Sequence, residues 1–215
     1  MHAILQPGGC QSVQEIAIGC FSAICRDRLA DALLLFARDH PDVTVGIHDI
    51  GRAALMQALD ADEITLAIVP GEPDPRLARL KLWNDRAVAL LPVGHALAGT
   101  GPIAPDRLSR EVFLVSADRE GWSTHRFLAD RVLSGAALRS RLTDAGPDRL
   151  LRSIAHGLGI ALACESLVAD AMPGVVARPI AGRAAGFAVH AQWRPDRRDH
   201  ELAILIASLS GTTHH

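Results

Sequence analysis

The feature that most constrains the fold is an alternation between two hydrophobic periods in the N-terminal half of the chain. Residues 15–21 form a nearly continuous apolar run of strand length, and residues 26–39 then switch to the spacing of an amphipathic helix. The pattern repeats as a strand at 43–47, a helix at 52–61 and a strand at 64–69. This order predicts a parallel sheet with right-handed crossovers, in which ligands bind along the edge where the strands end.

A second series of the same kind follows a glycine- and proline-rich stretch. Strands are predicted at 87–92, 111–116, 139–143, 158–164, 175–180 and 186–193, and helices at 123–133, 147–157 and around Leu202, Leu205, Ile206 and Leu209. The sequence therefore predicts an α/β protein with two similar lobes and a cleft between them.

Residues 121–125 are the strongest candidate for a ligand-binding segment. We interpret them as a strand-to-helix turn whose helix N-terminus faces the cleft. Free backbone N–H groups, the hydroxyls of Ser123 and Thr124 and the Trp122 ring would together suit a small polar or anionic ligand. Two alternatives stay open: Trp122 could fill the core of its lobe, and Ser123 could act only as the helix N-cap.

Two neighbouring residues are weaker candidates for the same site. Arg119 and His125 would strengthen a positive field, although each residue type is more often found at the surface. A serine next to a histidine also suggests a nucleophile and a base, but adjacent residues in a helix project in different directions. The chain has no G-x-S-x-G elbow, metal-ligand spacing or phosphate-binding loop, so we expect neither an enzyme nor a metal site or cofactor.

Composition excludes several classes of protein. The 215 residues are 49% apolar and 21% charged, with a formal net charge of -2, which argues against a nucleic-acid-binding module. There is no signal peptide and no apolar run of membrane-spanning length, so we expect a cytoplasmic protein.

The four cysteines do not form a metal-binding pattern. Cys10, Cys20, Cys25 and Cys164 include no C-x-x-C pair and have no histidines at metal-site spacing. We interpret them as small core residues, and a redox switch between Cys20 and Cys25 is the weaker alternative.

Five short segments share an order and spacing that point to a known family: E-I-A-I-G at 15–19, F-A-R-D-H-P-D-V at 36–43, L-A-I-V at 66–69, L-P-V-G-H-A-L at 91–97 and G-L-G-I-A at 157–161. Together they resemble the effector-binding domain of LysR-type transcriptional regulators, over residues 15–209. The resemblance implies two Rossmann-like subdomains joined by two crossing strands, as in type 2 periplasmic binding proteins.

The resemblance also implies a division of the chain. Residues 15–91 together with 188–211 correspond to regulatory subdomain I, and residues 92–187 to subdomain II. Residues 1–14 are interpreted as a linker remnant and residues 212–215 as the remnant of a purification tag. The family's winged helix-turn-helix has no counterpart here, so we expect a piece of a longer regulator that meets operator DNA only through a missing N-terminal domain.

The family's effector site is carried over by position. It corresponds to residues that follow strands or begin helices at the cleft: Ser22, Ala23, Arg52, Gly71, Trp122, Ser123, Thr124 and Gly146. Arg52 could be a solvated first-turn residue, but a cation is unfavourable at the positive end of a helix. We therefore expect Arg52 to favour a negatively charged effector.

These observations predict the ligand-sensing domain of a bacterial transcription factor. A solute-binding protein of the same fold that serves transport is the alternative. The family implies a homodimer or homotetramer. Leu34 and Leu35 lie off the predicted buried face of their helix, formed by Leu29, Leu33, Phe36 and Ala37, and would either contact another subunit or pack on their own sheet.

Overall fold

The computed structural model describes residues 14–21, 26–99, 101–117, 119–133, 139–143, 146–168, 173–197 and 199–211. The strands are β1 (Gln14–Cys20), β2 (Val43–Asp49), β3 (Leu66–Pro70), β4 (Ala78–Pro92), β5 (Val112–Ser116), β6 (Arg139–Thr143), β7 (Ala161–Cys164), β8 (Val175–Pro179) and β9 (Gly186–Trp193). The helices are α1 (Arg26–Asp39), α2 (Arg52–Asp60), α3 (Pro105–Leu108), α4 (Arg119–Val132), α5 (Pro147–Ala155) and α6 (His200–Gly211), with short 3-10 turns at Glu165–Leu167 and Arg183–Ala185.

The first lobe is built on the predicted parallel sheet. β1 lies between β2 and β3 and is parallel to both, which confirms the strand-helix alternation. β9 then pairs antiparallel with β3, and the first part of β4 pairs antiparallel with β9. The strands β1, β2 and β3 therefore end along one edge, where the segments that follow them come together.

Strand β4 connects the two lobes. It pairs with β9 from Ala78 to Arg86, and from Ala87 to Pro92 it pairs with β7 and β8. The prediction covered only residues 87–92 and missed the first half. In the first half of β4, exposed residues alternate with less exposed ones. This half therefore lacks the continuous apolar run that marks the second half.

The second lobe has a smaller parallel arrangement. β5 pairs with β6, and a parallel bridge joins Phe113 of β5 to Ile160, just before β7. α5 packs its buried Ile154 against a cluster that includes Leu90 and Leu114. The fold is the predicted α/β architecture with two lobes joined by the crossing strands β4 and β9. The subdomain boundaries at 91/92 and 187/188 stay a prediction.

Helix α1 buries one face and leaves two leucines in solvent. Leu29, Leu33 and Phe36 are buried as predicted. Ala37 is exposed, so its assignment to the buried face was wrong: the buried stripe passes through Ala32 instead. Leu34 is 69% exposed and Leu35 is 49% exposed, so their own lobe does not bury them.

No helix in the described ranges is both long enough and apolar enough to cross a bilayer.

Candidate functional site

Part of the predicted effector site lies outside the described residues. This holds for Ser22, Ala23 and the side chain of Trp122, whose backbone is helical within α4. Gly146 precedes α5 as its N-cap, and its carbonyl accepts hydrogen bonds from the N–H groups of Arg149 and Leu150. Gly146 is exposed and has extended backbone angles, so it contributes backbone only, as expected.

Helix α4 begins earlier than predicted. Its first residue is Arg119, so residues 121–125 belong to its first two turns and do not form a strand-to-helix turn. Ser123 is the fifth residue of the helix, and the alternative in which it is the N-cap was therefore wrong. The early start has a physical reason: Arg119 and Glu120 are good helix formers, although neither gives an apolar signal.

The structure nevertheless brings the start of α2 close to Ser123 of α4. A Cβ atom placed on Gly51, the N-cap of α2, would lie 3.5 Å from the Ser123 hydroxyl oxygen. Ser123 and Thr124 are both half-buried. Because α2 belongs to the first lobe and α4 to the second, this close approach puts Ser123 at the boundary between the lobes.

Arg52 turns away from bulk solvent and lies against an aromatic ring. Its guanidinium carbon is 5.8 Å from the centre of the Phe127 ring, and its Nη2 donates a hydrogen bond of 2.9 Å to the Glu72 carbonyl. Burial and then the charge of Arg131 lower the Arg52 pKa, while Glu72 partly offsets them. Arg52 is thus a half-buried first-turn residue of α2 that packs on the Phe127 ring, and its place in the effector site stays a prediction.

A second arginine, not singled out in the sequence, contacts the same ring. The Arg131 guanidinium carbon lies 5.6 Å from the centre of the Phe127 ring and 5.5 Å from that of Phe187. Its Nη2 donates a 2.8 Å hydrogen bond to the Gly186 carbonyl, whereas its buried Nε has no hydrogen-bond partner. Arg131 follows Phe127 by four residues, the spacing that puts two side chains on one helix face, and this was the available sequence signal.

Phe127 joins the two lobes through aromatic contacts. Its ring meets Phe21, directly after β1, edge-on at 5.8 Å, and it meets Phe187 of β9 edge-on at 5.3 Å. Edge-to-face pairs of this kind are favourable because the ring edge is positive and the face negative. We call Phe21, Arg52, Gly71, Phe127, Arg131 and Phe187 the arginine–phenylalanine cluster.

Gly71 has no side chain at the point where the residues of this cluster pack together. Its φ of 84° lies in the left-handed region that favours glycine. A Cβ atom there would lie 3.2 Å from Arg52 Nη1, 3.3 Å from Phe127 Cε2 and 3.6 Å from Arg131 Nη1. Gly71 is thus part of the predicted site, and its role is to let both guanidinium groups approach one point.

His125 is a core residue and does not belong to a surface field. It is 6% exposed, its ring centre lies 5.5 Å from that of Phe113, and its Nε2 is 3.3 Å from the Ser140 hydroxyl oxygen. Burial lowers the pKa of His125, and Asp130 offsets this only in part. Its predicted contribution to the effector site was wrong. The side chain of Arg119 lies outside the described residues.

The described cysteines are buried core thiols. Cys20 and Cys164 are both free and buried, and burial raises the pKa of Cys164, which makes the reactive thiolate scarce. Cys25 lies outside the described residues, so a pairing with Cys20 stays a prediction. Across the ranges that the structure describes, no group of histidine, cysteine and acidic side chains could hold a metal ion.

Comparison with known proteins gives a consistent result. The model of the LysR substrate binding domain matches residues 11–211. The HTH-type transcriptional regulator CbbR of Sinorhizobium medicae (strain WSM419) is 28% identical over 162 residues, which are 68% of this chain and 51% of CbbR. The chain thus spans about half the length of this curated relative.

Solved structures show the same fold. Full-length BenM carrying the E226K substitution superposes with a TM-score of 0.77 at 18% identity, over 93% of this chain and 68% of BenM. The BenM effector-binding domain with its effector benzoate superposes with a TM-score of 0.74 at 17% identity, over 92% and 91%. The relatives are transcriptional regulators and not enzymes, which agrees with the expectation from the sequence.

Proposed function

The chain belongs to the LysR substrate-binding-domain family, and from this premise we propose that it senses a small anionic effector in the cleft between its lobes. The effector would lie between the ends of the first-lobe strands and helix α4. Effector binding would favour one arrangement of the lobes. The effector would shift the equilibrium between the arrangements by the difference between its binding free energies for them.

One observation carries the anionic assignment. Arg52 from the first lobe and Arg131 from the second approach the same ring and the same point beside Gly71. Neither arginine forms an ion pair with any residue that the structure describes. Two like charges in a partly buried place repel each other, and a carboxylate between them would replace that repulsion with charge-assisted hydrogen bonds.

The likeness to BenM is a weaker support. The effector of the BenM domain is benzoate, which is a carboxylate. At 17% identity the likeness concerns the fold alone, so the choice of an anion here depends on the two arginines of this chain.

The partners follow from the proposed role. We propose that the protein is cytoplasmic and forms a homodimer or homotetramer through a surface that includes the exposed Leu34 and Leu35 of α1. Ile47 on the neighbouring strand β2 is 54% exposed and would extend this apolar surface. Contact with operator DNA would be made by a winged helix-turn-helix outside the matched residues 11–211.

A titration with small carboxylates tests the effector assignment. Acetate, succinate, citrate and benzoate are added to the protein while the melting temperature and the tryptophan fluorescence are followed. We expect at least one to raise the melting temperature, as any ligand that binds only the folded state must. Arg52→Ala and Trp122→Ala should each weaken binding of that carboxylate by about tenfold, equivalent to about 1.4 kcal/mol.

The matched control is Arg152→Ala, which removes an exposed arginine from α5. This variant should bind the carboxylate like the wild type. If Arg52→Ala and Arg152→Ala reduce the affinity equally, the effect is a change of overall charge and the assigned site is wrong.

A further inference from the structure

A cavity of about 480 Å³ lies beside the arginine–phenylalanine cluster, where the crossing strands β4 and β9 meet. Its volume is in the range of small-molecule sites, which is roughly 300–1,000 Å³. We call it the crossing-strand cavity. Three arginines and three carboxylate residues line it: Arg86, Arg131, Arg183, Glu72, Asp85 and Glu165.

Three of these charged groups already have partners in the wall. Asp85 is 7% exposed and accepts hydrogen bonds from the Ser166 hydroxyl and from the backbone N–H of Arg86. The Arg86 side chain forms an ion pair with Glu165, with Nε 3.4 Å from Oε2. On this side of the cavity, the charges of Asp85, Arg86 and Glu165 are therefore already balanced by contacts within the protein.

The remaining charged groups have unused hydrogen-bonding capacity. The buried Nε of Arg131 has no hydrogen-bond partner, and Arg183 forms no ion pair within the described ranges. Glu72 and Asn84 also line the cavity, and both are exposed: within the described ranges their side chains form no hydrogen bond or ion pair, although the charge of Glu72 acts on Arg52. Two unpaired cations thus share the cavity with one carboxylate and one amide oxygen.

We propose that the crossing-strand cavity binds a small zwitterion, a molecule that carries one carboxylate and one ammonium group. Its carboxylate would accept hydrogen bonds from Arg131 and Arg183, and its ammonium group would donate to Glu72 and Asn84.

The balance of charge decides against a singly charged ligand. Once the Arg86–Glu165 pair and the hydrogen-bonded Asp85 are set aside, a simple anion would still be repelled by Glu72, and a simple cation by Arg131 and Arg183. A zwitterion adds no net charge and can meet both signs. The arginine–phenylalanine cluster differs, because there two arginines stand together without an ion-paired carboxylate.

The cavity is positioned to influence the lobes. Asn84 and Asp85 belong to β4, and Phe187 and Ala188 belong to β9, so the ligand would contact both strands that connect the lobes. A zwitterion bound here would favour the arrangement of the lobes in which both sets of partners are in reach. The cavity shares Arg131 and Gly71 with the effector site, but its proposed ligand also needs Arg183, Glu72 and Asn84.

Isothermal titration calorimetry with charge-matched compounds tests the proposal. L-alanine and 4-aminobutyrate hold the two charges at short and long separation. Each is compared with a carboxylate and an ammonium compound of the same chain length, which are propionate and ethylammonium or butyrate and butylammonium. We expect at least one zwitterion to bind about tenfold or more tightly than both of its singly charged analogues.

Variants then locate the binding. Arg183→Gln and Glu72→Gln should each weaken zwitterion binding by about fivefold or more, since each removes one charge partner while keeping a polar side chain. Arg152→Gln, an exposed arginine on α5, and Ser123→Ala, at the lobe boundary, should leave it unchanged. If Ser123→Ala alters carboxylate binding but not zwitterion binding, the two sites are separate as proposed.

Three results would overturn the proposal. One is that neither zwitterion binds at about 10 mM, which corresponds to less than about 3 kcal/mol of binding free energy. Another is that butyrate or propionate binds as tightly as its zwitterion and loses this affinity in Arg183→Gln, which would make the cavity an anion site. The third is zwitterion binding that survives both Arg183→Gln and Glu72→Gln.

Discussion

The arginine–phenylalanine cluster and the crossing-strand cavity use the same residue types with opposite arrangements of charge. In the cluster, Arg52 and Arg131 share one ring and have no ion-pair partner in the described chain. In the cavity, three arginines and three carboxylate residues line the wall, and Arg86 and Glu165 already pair. The comparison teaches that arginine content alone does not define an anion site: the arrangement of counter-charges decides which ligand is favourable.

Gly71 and Arg131 belong to both regions. A change at either residue should therefore disturb both ligands, whereas a change at Arg52 or Arg183 should disturb one. The most severe change to the cluster is the removal of the Phe127 ring, against which both Arg52 and Arg131 lie.

Phe127→Ala should have the largest effect. The substitution removes two edge-to-face contacts and the ring against which both arginines lie, and we expect the free energy of unfolding to fall by about 3 kcal/mol. Phe127→Leu keeps most of the volume but no aromatic face. It should cost about 1 kcal/mol while still weakening carboxylate binding.

Urea unfolding monitored by circular dichroism measures both variants. Equal losses of stability in Phe127→Ala and Phe127→Leu would show that the aromatic face matters more than the volume of the side chain. A Phe127→Leu protein that binds carboxylates like the wild type would contradict the role of the ring as a platform for the arginines.

Gly71→Ala should have the next largest effect, about 2 kcal/mol in the free energy of unfolding. The added Cβ atom meets the guanidinium of Arg52 and the ring of Phe127, and the backbone has a φ of 84°. Gly182→Ala is the control for backbone conformation alone, because Gly182 has a φ of 100° but nothing within 4 Å of its Cβ position.

Gly94→Ala is a second control. Gly94 has open space around its Cβ position and no positive φ, so this variant should be neutral or slightly stabilising. The order of destabilisation should be Gly71→Ala, then Gly182→Ala, then Gly94→Ala. If Gly71→Ala and Gly182→Ala lose equal stability, crowding at the arginine–phenylalanine cluster contributes nothing.

Substitution of His125, in the core of the second lobe, should have a smaller effect, which concerns the dependence of stability on pH. Because burial lowers its pKa, the unfolded chain binds a proton more readily than the folded protein as the pH falls below about 6.5. The His125 contribution to stability is therefore complete above that pH and is lost progressively as the pH falls towards the lower pKa of the folded state. His125→Gln should reduce the difference between the melting temperatures at pH 7.5 and pH 5.5.

His190 is the internal comparison for this measurement. Burial also lowers its pKa, although a hydrogen bond with the Gly71 carbonyl partly offsets this. The variant His190→Gln should reduce the acid sensitivity as well, and the double variant should reduce it further. Acid sensitivity that is unchanged in all three variants would contradict the lowered pKa values of these two histidines.

Most of the architecture could be predicted from the sequence because its signals are local. The bounds of α1 and β6 were predicted correctly, since helical and strand-like spacings change sharply there. The first half of β4 was missed because its identity as a strand depends on pairing with β9, more than a hundred residues later. Such pairing leaves only a weak alternating pattern in the sequence itself.

The candidate site was predicted less completely, because it is formed between lobes. Arg52 and Gly71 were assigned from their positions after secondary-structure elements, and both belong to the arginine–phenylalanine cluster. Phe127 was not assigned to the effector site, and Arg131 was not singled out. Their role requires the packing of α4 against the first lobe, which no single segment encodes.

The central claim is that Arg52 and Arg131, which have no ion-pair partner among the described residues, receive one when an anion binds. Arg52→Met tests it most directly, because it keeps an apolar stem and removes the charge. In urea unfolding with and without benzoate or succinate, we predict that the ligand-free variant is at least as stable as the wild type and that carboxylates no longer stabilise it. A variant that is less stable by more than about 1 kcal/mol without ligand, yet still stabilised by carboxylates to the wild-type extent, would contradict the claim.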